Sequence, residues 1–314
     1  MNKLIFSTVL WLAAVCPSWA QQLPLLSQFQ ESVGVLNPAA VANSYFKFEH
    51  DVRFGAAHHA QWTGLEGNPQ TSQLVGEVLF DDYSPVSPLL GAYFINDQTG
   101  PTGLTGLYLK AGGVISDDPY YRGLSIGLSV GVTQYRLNLS ELELRDEEAV
   151  LAAEDDGTVS PDAGVGVFAY QRFGDHVGFV GFSSPQVLGL DLSYRGNDGE
   201  IATRRYRHYY AQAGAVLDLG DDSYLEPVAW VKFVPEVPVN VSTTVRYQTP
   251  SAFFVGLGGS SARMVHGEAG VLLGDRSGAG ALFRIGYGFD YSFVTFGSFA
   301  GPTHELSLNY SFER

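Results

Sequence analysis

The sequence predicts an all-β protein: an antiparallel transmembrane β-barrel of about 14 strands, of the outer-membrane type. Three observations predict it. The first is an alternation of period two. Phe283, Ile285, Tyr287 and Phe289 interleave with Arg284, Gly286, Gly288 and Asp290. Leu306, Leu308, Tyr310 and Phe312 interleave likewise with Glu305, Ser307, Asn309 and Ser311. That period belongs to a strand with one apolar face and one polar or small face. The second is composition. The chain has 37 Gly, 17 Tyr and 20 Phe in 314 residues and only 16% charged residues. No run beyond the N-terminal stretch is long and apolar enough for a transmembrane helix. The third is that the long connections share one parity in the strand count. Long outer loops and short periplasmic turns are the pattern of such barrels. The apolar faces are therefore expected outward in lipid, and the polar faces inward in a lumen.

At the N-terminus, Lys3 precedes an apolar run over 4–15, and Ser18 and Ala20 fit a small-x-small cleavage site. Residues 1–20 are expected to be a secretory signal peptide, removed after Ala20. Cys16 is the only cysteine, so the mature chain would have no thiol chemistry and no disulfide. Lipid modification at Cys16 is a rival reading, disfavoured by the large Val15 before it. Residues 21–45 lack strand alternation. They are expected either as a plug in the lumen or as a periplasmic segment, and the barrel is expected over 46–314.

Strands are expected near 46–61, 71–81, 89–96, 103–115, 123–135, 162–172, 174–185, 207–218, 222–233, 238–247, 253–260, 264–273, 280–290 and 303–312. Most are close to the ~9–11 residues that a tilted strand needs to cross a bilayer. Alternation is cleanest from Leu124 to Val132 and least clear over 162–185, where glycines and aromatics occupy both parities. The longest connections, near 136–161, 186–206 and 291–302, follow the fifth, seventh and thirteenth strands. Aspartate pairs at 81–82, 117–118 and 221–222 fall at the opposite, short turns, where Asp side chains bond nearby backbone N–H groups.

The formal charge of −15 argues against a nucleic-acid partner, which would meet a basic face. Much of the acid is local: 141–162 holds nine carboxylates and one arginine. This reads as a solvated loop, since the ligand spacing of a calcium loop is missing. Two overlapping Gly-x-Ser-x-Gly matches at 123–127 and 127–131 lie inside one alternating strand. A nucleophile needs a sharp strand-to-helix turn there instead. Gly256 to Ser261 resembles a phosphate loop only loosely, with no helix behind it. His58 and His59 point to opposite faces and cannot share a metal. No catalytic residue, cofactor or metal site is expected, and the chain reads as a conduit, docking or assembly protein rather than an enzyme.

One ordered set of short motifs runs through the chain. It begins at 21–29 with Asn37 and Pro38. It continues with Gln61, Trp62, Gly64, Gly67, Pro69, Asn96, Asp97 and Gly100. It resumes at Arg207, His208 and Lys232, and closes with Arg284, Asp290 and Glu305. In that order the set resembles the PorP/SprF family, outer-membrane proteins of the Bacteroidetes type IX secretion system. The resemblance implies a barrel that helps to secrete or display cargo with a C-terminal sorting domain, gliding adhesins included. Its partners would be that cargo, other secretion subunits and outer-membrane lipid. Each motif also has a structural reading. Asn37 and Pro38 suit a turn, Trp62 an interface aromatic, and Arg207 and His208 a loop–strand junction. The alternative function is a passive porin or hydrophobic-solute transporter, because fold alone does not separate the two. Glu268, Arg284 and Asn309 have inward parity, and Arg284 is expected near Glu268 across the lumen wall.

Overall fold

The computed structural model describes residues 26–81, 85–138, 156–188, 191–196, 199–204, 206–235, 237–274, 280–294 and 297–314. The expected signal peptide, Cys16, Asp82 and most of the acidic connection lie outside these residues. The first seven strands are β1 (Val52–Ala60), β2 (Gln70–Leu79), β3 (Val86–Thr99), β4 (Thr102–Ile115), β5 (Arg122–Leu137), β6 (Asp156–Phe173) and β7 (His176–Ser184). A hairpin of β8 (Asp191–Gly196) and β9 (Gly199–Arg204) follows. The chain then continues with β10 (Tyr209–Gly220), β11 (Ser223–Phe233), β12 (Asn240–Gln248), β13 (Phe253–Ser260), β14 (Met264–Gly274), β15 (Leu282–Ser292) and β16 (Thr303–Phe312). Fourteen of these form one closed barrel of neighbours in sequence, with β7 beside β10 and β16 closing on β1. All barrel pairs are antiparallel, and the closing pair runs from Val52↔Phe312 to Ala60↔His304.

The lateral faces explain the alternation. On β5, Leu128 and Val130 are 56% and 59% exposed, whereas Ser129 between them is 1% exposed. Phe283, Ile285, Tyr287 and Phe289 on β15 are exposed in the same way. Such a density of exposed large apolar side chains on every wall suits lipid, not water. The inward parity of β5 carries Ser125, Ser129 and Thr133, all buried. The Gly-x-Ser-x-Gly matches therefore lie within a barrel wall.

Two elements differ from the sequence expectation. The connection between β7 and β10 holds the two-stranded β8–β9 sheet, paired from Asp191↔Arg204 to Gly196↔Gly199, where a loop was expected. The first strand begins at Val52 rather than near 46. Residues 43–48 instead form a helix, labelled α2 below. Phe46 and Phe48 flank Lys47, which mimics a strand period. The helix buries Tyr45, Phe46 and Phe48 together, and Glu49 ends it in the left-handed region at φ 60.

The lumen contains the N-terminal segment. Residues 29–32 form a 3-10 turn (Phe29–Ser32), followed by α1 (Val33–Leu36) and α2 (Asn43–Phe48). Most described residues before Val52 are buried. Leu26, Phe29, Val33, Leu36, Phe46 and Phe48 belong to one apolar cluster with inward residues of the wall, among them Phe168, Tyr170, Phe179, Tyr210 and Trp230. This accounts for the mixed parity over 162–185. Inward aromatics there pack on the plug, while Val165, Val167, Val180 and Phe182 face outward.

Candidate functional site

The seam between plug and wall gathers most of the buried charge. Glu305 on β16 accepts hydrogen bonds from the backbone N–H of Ser27 (2.7 Å) and of Gln28 (3.0 Å), and pairs with His59 Nδ1 at 2.9 Å. The Ser27 hydroxyl donates to Asp290, which also pairs with His266 at 2.9 Å. The Ser307 hydroxyl donates to the Gln28 side-chain oxygen at 3.0 Å. Inward-facing polar residues of the last strands and β1 thus hold the start of the plug by backbone and side chain.

One turn further, Glu31 enters a lattice of ions. Arg246 Nη1 lies 2.6 Å from Glu31 and 3.3 Å from Glu226, and its Nε and Nη2 grip Glu268 at 2.9 and 3.1 Å. That two-point geometry is the strong form of an arginine–carboxylate contact. Arg284 lies 3.6 Å from both Glu31 and Glu226 and donates to the Tyr224 hydroxyl at 2.7 Å. Asn309 donates to Glu31 at 2.8 Å and accepts from Arg53, which also reaches Glu77 at 3.1 Å and the Glu31 carbonyl. Lys110 closes the chain on Glu77. Four cations (Arg53, Lys110, Arg246, Arg284) therefore meet four carboxylates (Glu31, Glu77, Glu226, Glu268). Burial alone would raise the Glu31 carboxyl, but Arg246, then Arg284 and Arg53, outweigh it and hold it below the usual carboxylate range.

The opposite half of the wall meets the plug mainly by close packing, with one cation in contact, Arg172, which donates to the Phe46 carbonyl at 2.9 Å. The Asn37 side chain accepts from the Ala39 N–H at 3.0 Å and donates to the Val167 carbonyl at 3.1 Å. A Cβ at Gly166 would overlap the Asn37 side chain, and one at Gly127 would stand 2.5 Å from the Pro38 carbonyl oxygen. Glycine is needed at both because the plug backbone lies directly against the wall. Phe46 lies among Tyr170 (ring centroids 4.9 Å), Phe179 (6.0 Å) and Phe168 (6.3 Å), and Phe29 sits 5.2 Å from Trp230.

The sequence motifs fall into three places. Asn37, Pro38, Arg284, Asp290 and Glu305 lie at the seam, with Glu268 and Asn309. Gln61, Trp62, Gly64, Gly67, Pro69, Asn96, Asp97 and Gly100 shape the rim that carries the long connections. There the Gln61 N–H donates to the Pro69 carbonyl, that of Gly64 to Ala300, and that of Gly100 to Gly67. Trp62 donates its backbone N–H to Thr303 at 3.3 Å, with a left-handed φ of 54. Asp97 accepts from Thr71 at 2.5 Å, and Asn96 lies between Ser72 and Thr105 in the sheet. Arg207 is exposed and His208 buried, with Nδ1 3.0 Å from the Tyr206 carbonyl. Lys232 is buried, with its ammonium 4.2 Å from the Trp230 ring centre.

The expected Arg284–Glu268 pairing is corrected. In the β14–β15 register Arg284 faces Leu272 and Glu268 faces Gly288, two positions apart on the same inward parity. Arg246, from β12, takes Glu268 instead. Sequence reasoning missed Arg246, Glu226, Glu31, Arg53, Glu77 and Lys110. A signal for the wall residues was available: each is a charge at the polar parity of a strand that crosses lipid, where an outward charge is costly. Among the described residues no group of three or more His, Cys, Asp or Glu side chains is arranged to hold a metal ion.

Comparison with solved structures shows that the barrel resembles outer-membrane channels in fold. The chain is similar to the CymD monoaromatic hydrocarbon channel, with 12% identity, 93% of this chain and 94% of that one covered, and a TM-score of 0.55. It is also similar to the toluene transporter TodX of Pseudomonas putida, with 8% identity, 94% and 100% coverage, and a TM-score of 0.52. At such identities the likeness is one of fold. No curated protein matches the chain. The family model described as type IX secretion system membrane protein PorP/SprF matches residues 18–310. That match spans the lumen plug, the rim motifs and every strand of the barrel, and the chain belongs to the PorP/SprF family of type IX secretion system membrane proteins.

Proposed function

We propose that the chain is an outer-membrane subunit of the type IX machinery that receives or anchors a specific exported protein with a C-terminal sorting domain, such as a gliding adhesin. The observation that carries this reading, beside the family, is the latched plug. Residues 26–51 occupy the lumen and are tied to the wall by ion pairs and close backbone contact. A wall built around an immobilised segment suits a docking platform better than a free conduit. Recognition would then use the rim, because lipid covers the outer wall and the opposite turns are short. Edge or loop contacts with a β-rich domain are the expected mode. The acidic 141–162 connection would favour a basic patch on the cargo. No chemical step is asked of this chain.

This reading puts the rim with the long connections outside the cell. Epitope tags near 141–156 and 190–200 should be reached by antibody on intact cells, and a tag at Asp221 should not. Labelling only at Asp221 would invert the orientation. The functional test is deletion of the gene followed by fractionation for sorting-domain proteins. Retention of one such protein in the periplasm is expected. Normal display of all of them, together with free conductance of small solutes by the purified barrel, would favour the transporter reading instead. That reading has the fold likeness to hydrocarbon channels in its support.

A further inference from the structure

The barrel closes where β16 meets β1. Every other pair of neighbouring strands is consecutive in the chain or, for β7 and β10, separated only by the β8–β9 hairpin. A connection limits the register of the strands that it joins. The closing pair has none, because β1 and β16 stand at opposite ends of the wall sequence. Alternation does not supply the register either. A slip by one residue would turn polar side chains to lipid and is excluded. A slip by two keeps Leu306, Leu308 and Tyr310 outward and the polar residues inward, and it forfeits little of the ladder.

The inward row of β16 is Glu305, Ser307, Asn309 and Ser311, all buried. Each of the four meets the segment that precedes β1. Glu305 accepts from the Ser27 and Gln28 N–H groups. Ser307 donates to the Gln28 side chain at 3.0 Å, and Asn309 donates to Glu31 at 2.8 Å. The Ser311 hydroxyl lies 2.8 Å from His50 Nδ1. Past the strand, the Arg314 N–H donates to Asp51 at 2.8 Å. Both partners ascend together along the chain, so the segment follows β16 over its whole length. The adjoining strand offers no such row, since Gly286 and Gly288 occupy two of the inward positions of β15, opposite Ser307 and Glu305. The row is also not self-similar: it reads carboxylate, hydroxyl, amide, hydroxyl. After a slip by two, Thr303 or Ser307 would face the two N–H groups, and the Glu305 carboxylate would be buried without them.

We propose that the plug is the template on which the barrel closes: residues 27–31 and His50 read the inward row of β16 and set its register on β1. The plug is anchored for this task. It leads directly into β1 at Val52, and Arg53 of β1 donates to the Glu31 carbonyl. Template and first strand are therefore one continuous piece, against which the last strand is measured. The role belongs to assembly and holds whatever the rim binds.

The test moves the row and asks whether the strand follows. Ala56 and Leu308 stand directly opposite on the outer face. In a Cys16→Ser background, Ala56→Cys is paired with Leu308→Cys to report the native register, and with Leu306→Cys or Tyr310→Cys to report the two slips. Diagonal neighbours lie about 7–8 Å apart, beyond the roughly 4.4–6.8 Å that a disulfide spans between Cα atoms. Oxidation of the full-length protein in outer membranes should cross-link the parent at 56–308, with each slipped pair at least about tenfold weaker. The row is then shifted by two with Glu305→Thr, Ser307→Glu, Asn309→Ser and Ser311→Asn. The preference should reverse to 56–310. Cross-linking that stays at 56–308 would overturn the proposal, because the strand would then register itself. If the shifted chain does not fold, Gln28→Ala with Glu31→Ala decides. Cross-links that spread to 56–306 and 56–310 support the template. Cross-links at 56–308 alone, or none at all, overturn it, since a strand that has only lost its register still closes. Phe46→Ala, which loosens the plug without touching the row, should leave 56–308 as the sole product. Slippage there equal to that of Gln28→Ala with Glu31→Ala would reduce the plug to a filler and also overturn the proposal.

Discussion

The two halves of the barrel hold the same plug by different physics. Along β11, β12, β14, β15, β16, β1 and β2 the plug meets charge. Glu31 alone faces Arg246, Arg284 and Asn309, and Arg53 faces Glu77. Along β5, β6 and β7 the plug meets glycines and aromatics, with Asn37 and Pro38 against Gly127 and Gly166 and Phe46 among Tyr170, Phe179 and Phe168. Charges are long-ranged and tolerate small shifts, but they do not tolerate loss of a partner. Close packing tolerates loss of atoms at the cost of a cavity, but it does not tolerate added volume. The charged half is thus suited to fixing which plug residue stands where. The packed half fixes how near it lies.

Removing the hub of the charged half should have the largest effect. Arg246→Met removes the two-point partner of Glu268 and leaves Glu31 and Glu226 with only Arg284, 3.6 Å away, and breaking such a buried network by one partner costs about 3–5 kcal/mol. Urea unfolding of the barrel in lipid vesicles should register that loss. Protease should also cut between residues 26 and 51 in the variant and not in the parent. A triple change of those three glutamates to glutamine in the Arg246→Met background should recover part of the loss, because the stranded charge is then gone. No recovery would mean that packing, not charge, dominates this half as well.

The packed half should respond to volume instead. Gly166→Ala places a Cβ onto the Asn37 side chain, and overpacking of this kind costs about 1–3 kcal/mol. The pairing of the plug with Arg246 should survive, so cleavage should appear around residues 36–40 while residues 27–31 stay protected. Adding Asn37→Ala to Gly166→Ala makes room and should relieve the strain, although it forfeits the bond to the Val167 carbonyl. Uniform release of the whole plug by Gly166→Ala would erase the distinction between the halves.

The strands were legible in the sequence because lipid on one side enforces a strict alternation. Leu128 and Val130 have no polar competitor on their face, and the same holds for Phe283 to Phe289 on β15. Alternation fails as a guide where the inward side is apolar too. Phe168, Tyr170 and Phe179 look outward by chemistry but pack on Phe46, and only the presence of a plug explains them. The helix at 43–48 was hidden for the same reason, since Phe46, Lys47 and Phe48 satisfy a strand period as well as a buried helix. Parity marked Glu268, Arg284 and Asn309 as inward, but it carries no information about partners across the lumen. Those depend on strands far apart in sequence. Arg246 lies on β12 and Glu31 in the plug, 215 positions away, and local reasoning has no access to that distance.

The finest test of the charged half is a comparison of two double-mutant cycles on Glu268. In the first, Glu268→Gln is combined with Arg246→Met. In the second it is combined with Arg284→Met. Arg246 grips Glu268 through two donors at 2.9 and 3.1 Å, so the pair should couple by about 1–3 kcal/mol, the range for contacting residues in one network. Arg284 has the same inward parity as Glu268 and shares the neighbourhood, but its nearest carboxylates are Glu31 and Glu226, each at 3.6 Å. Its coupling to Glu268 should stay within about 0.5 kcal/mol, the limit for residues without direct contact. Both cycles are read from urea midpoints at constant slope, so that a change in the compactness of the unfolded barrel is not mistaken for coupling. Equal coupling in the two cycles would mean that the lattice acts as a diffuse pool of charge. A large first term and a negligible second would mean that Arg246 is addressed to Glu268 by geometry, and that the charged half specifies position through particular partners.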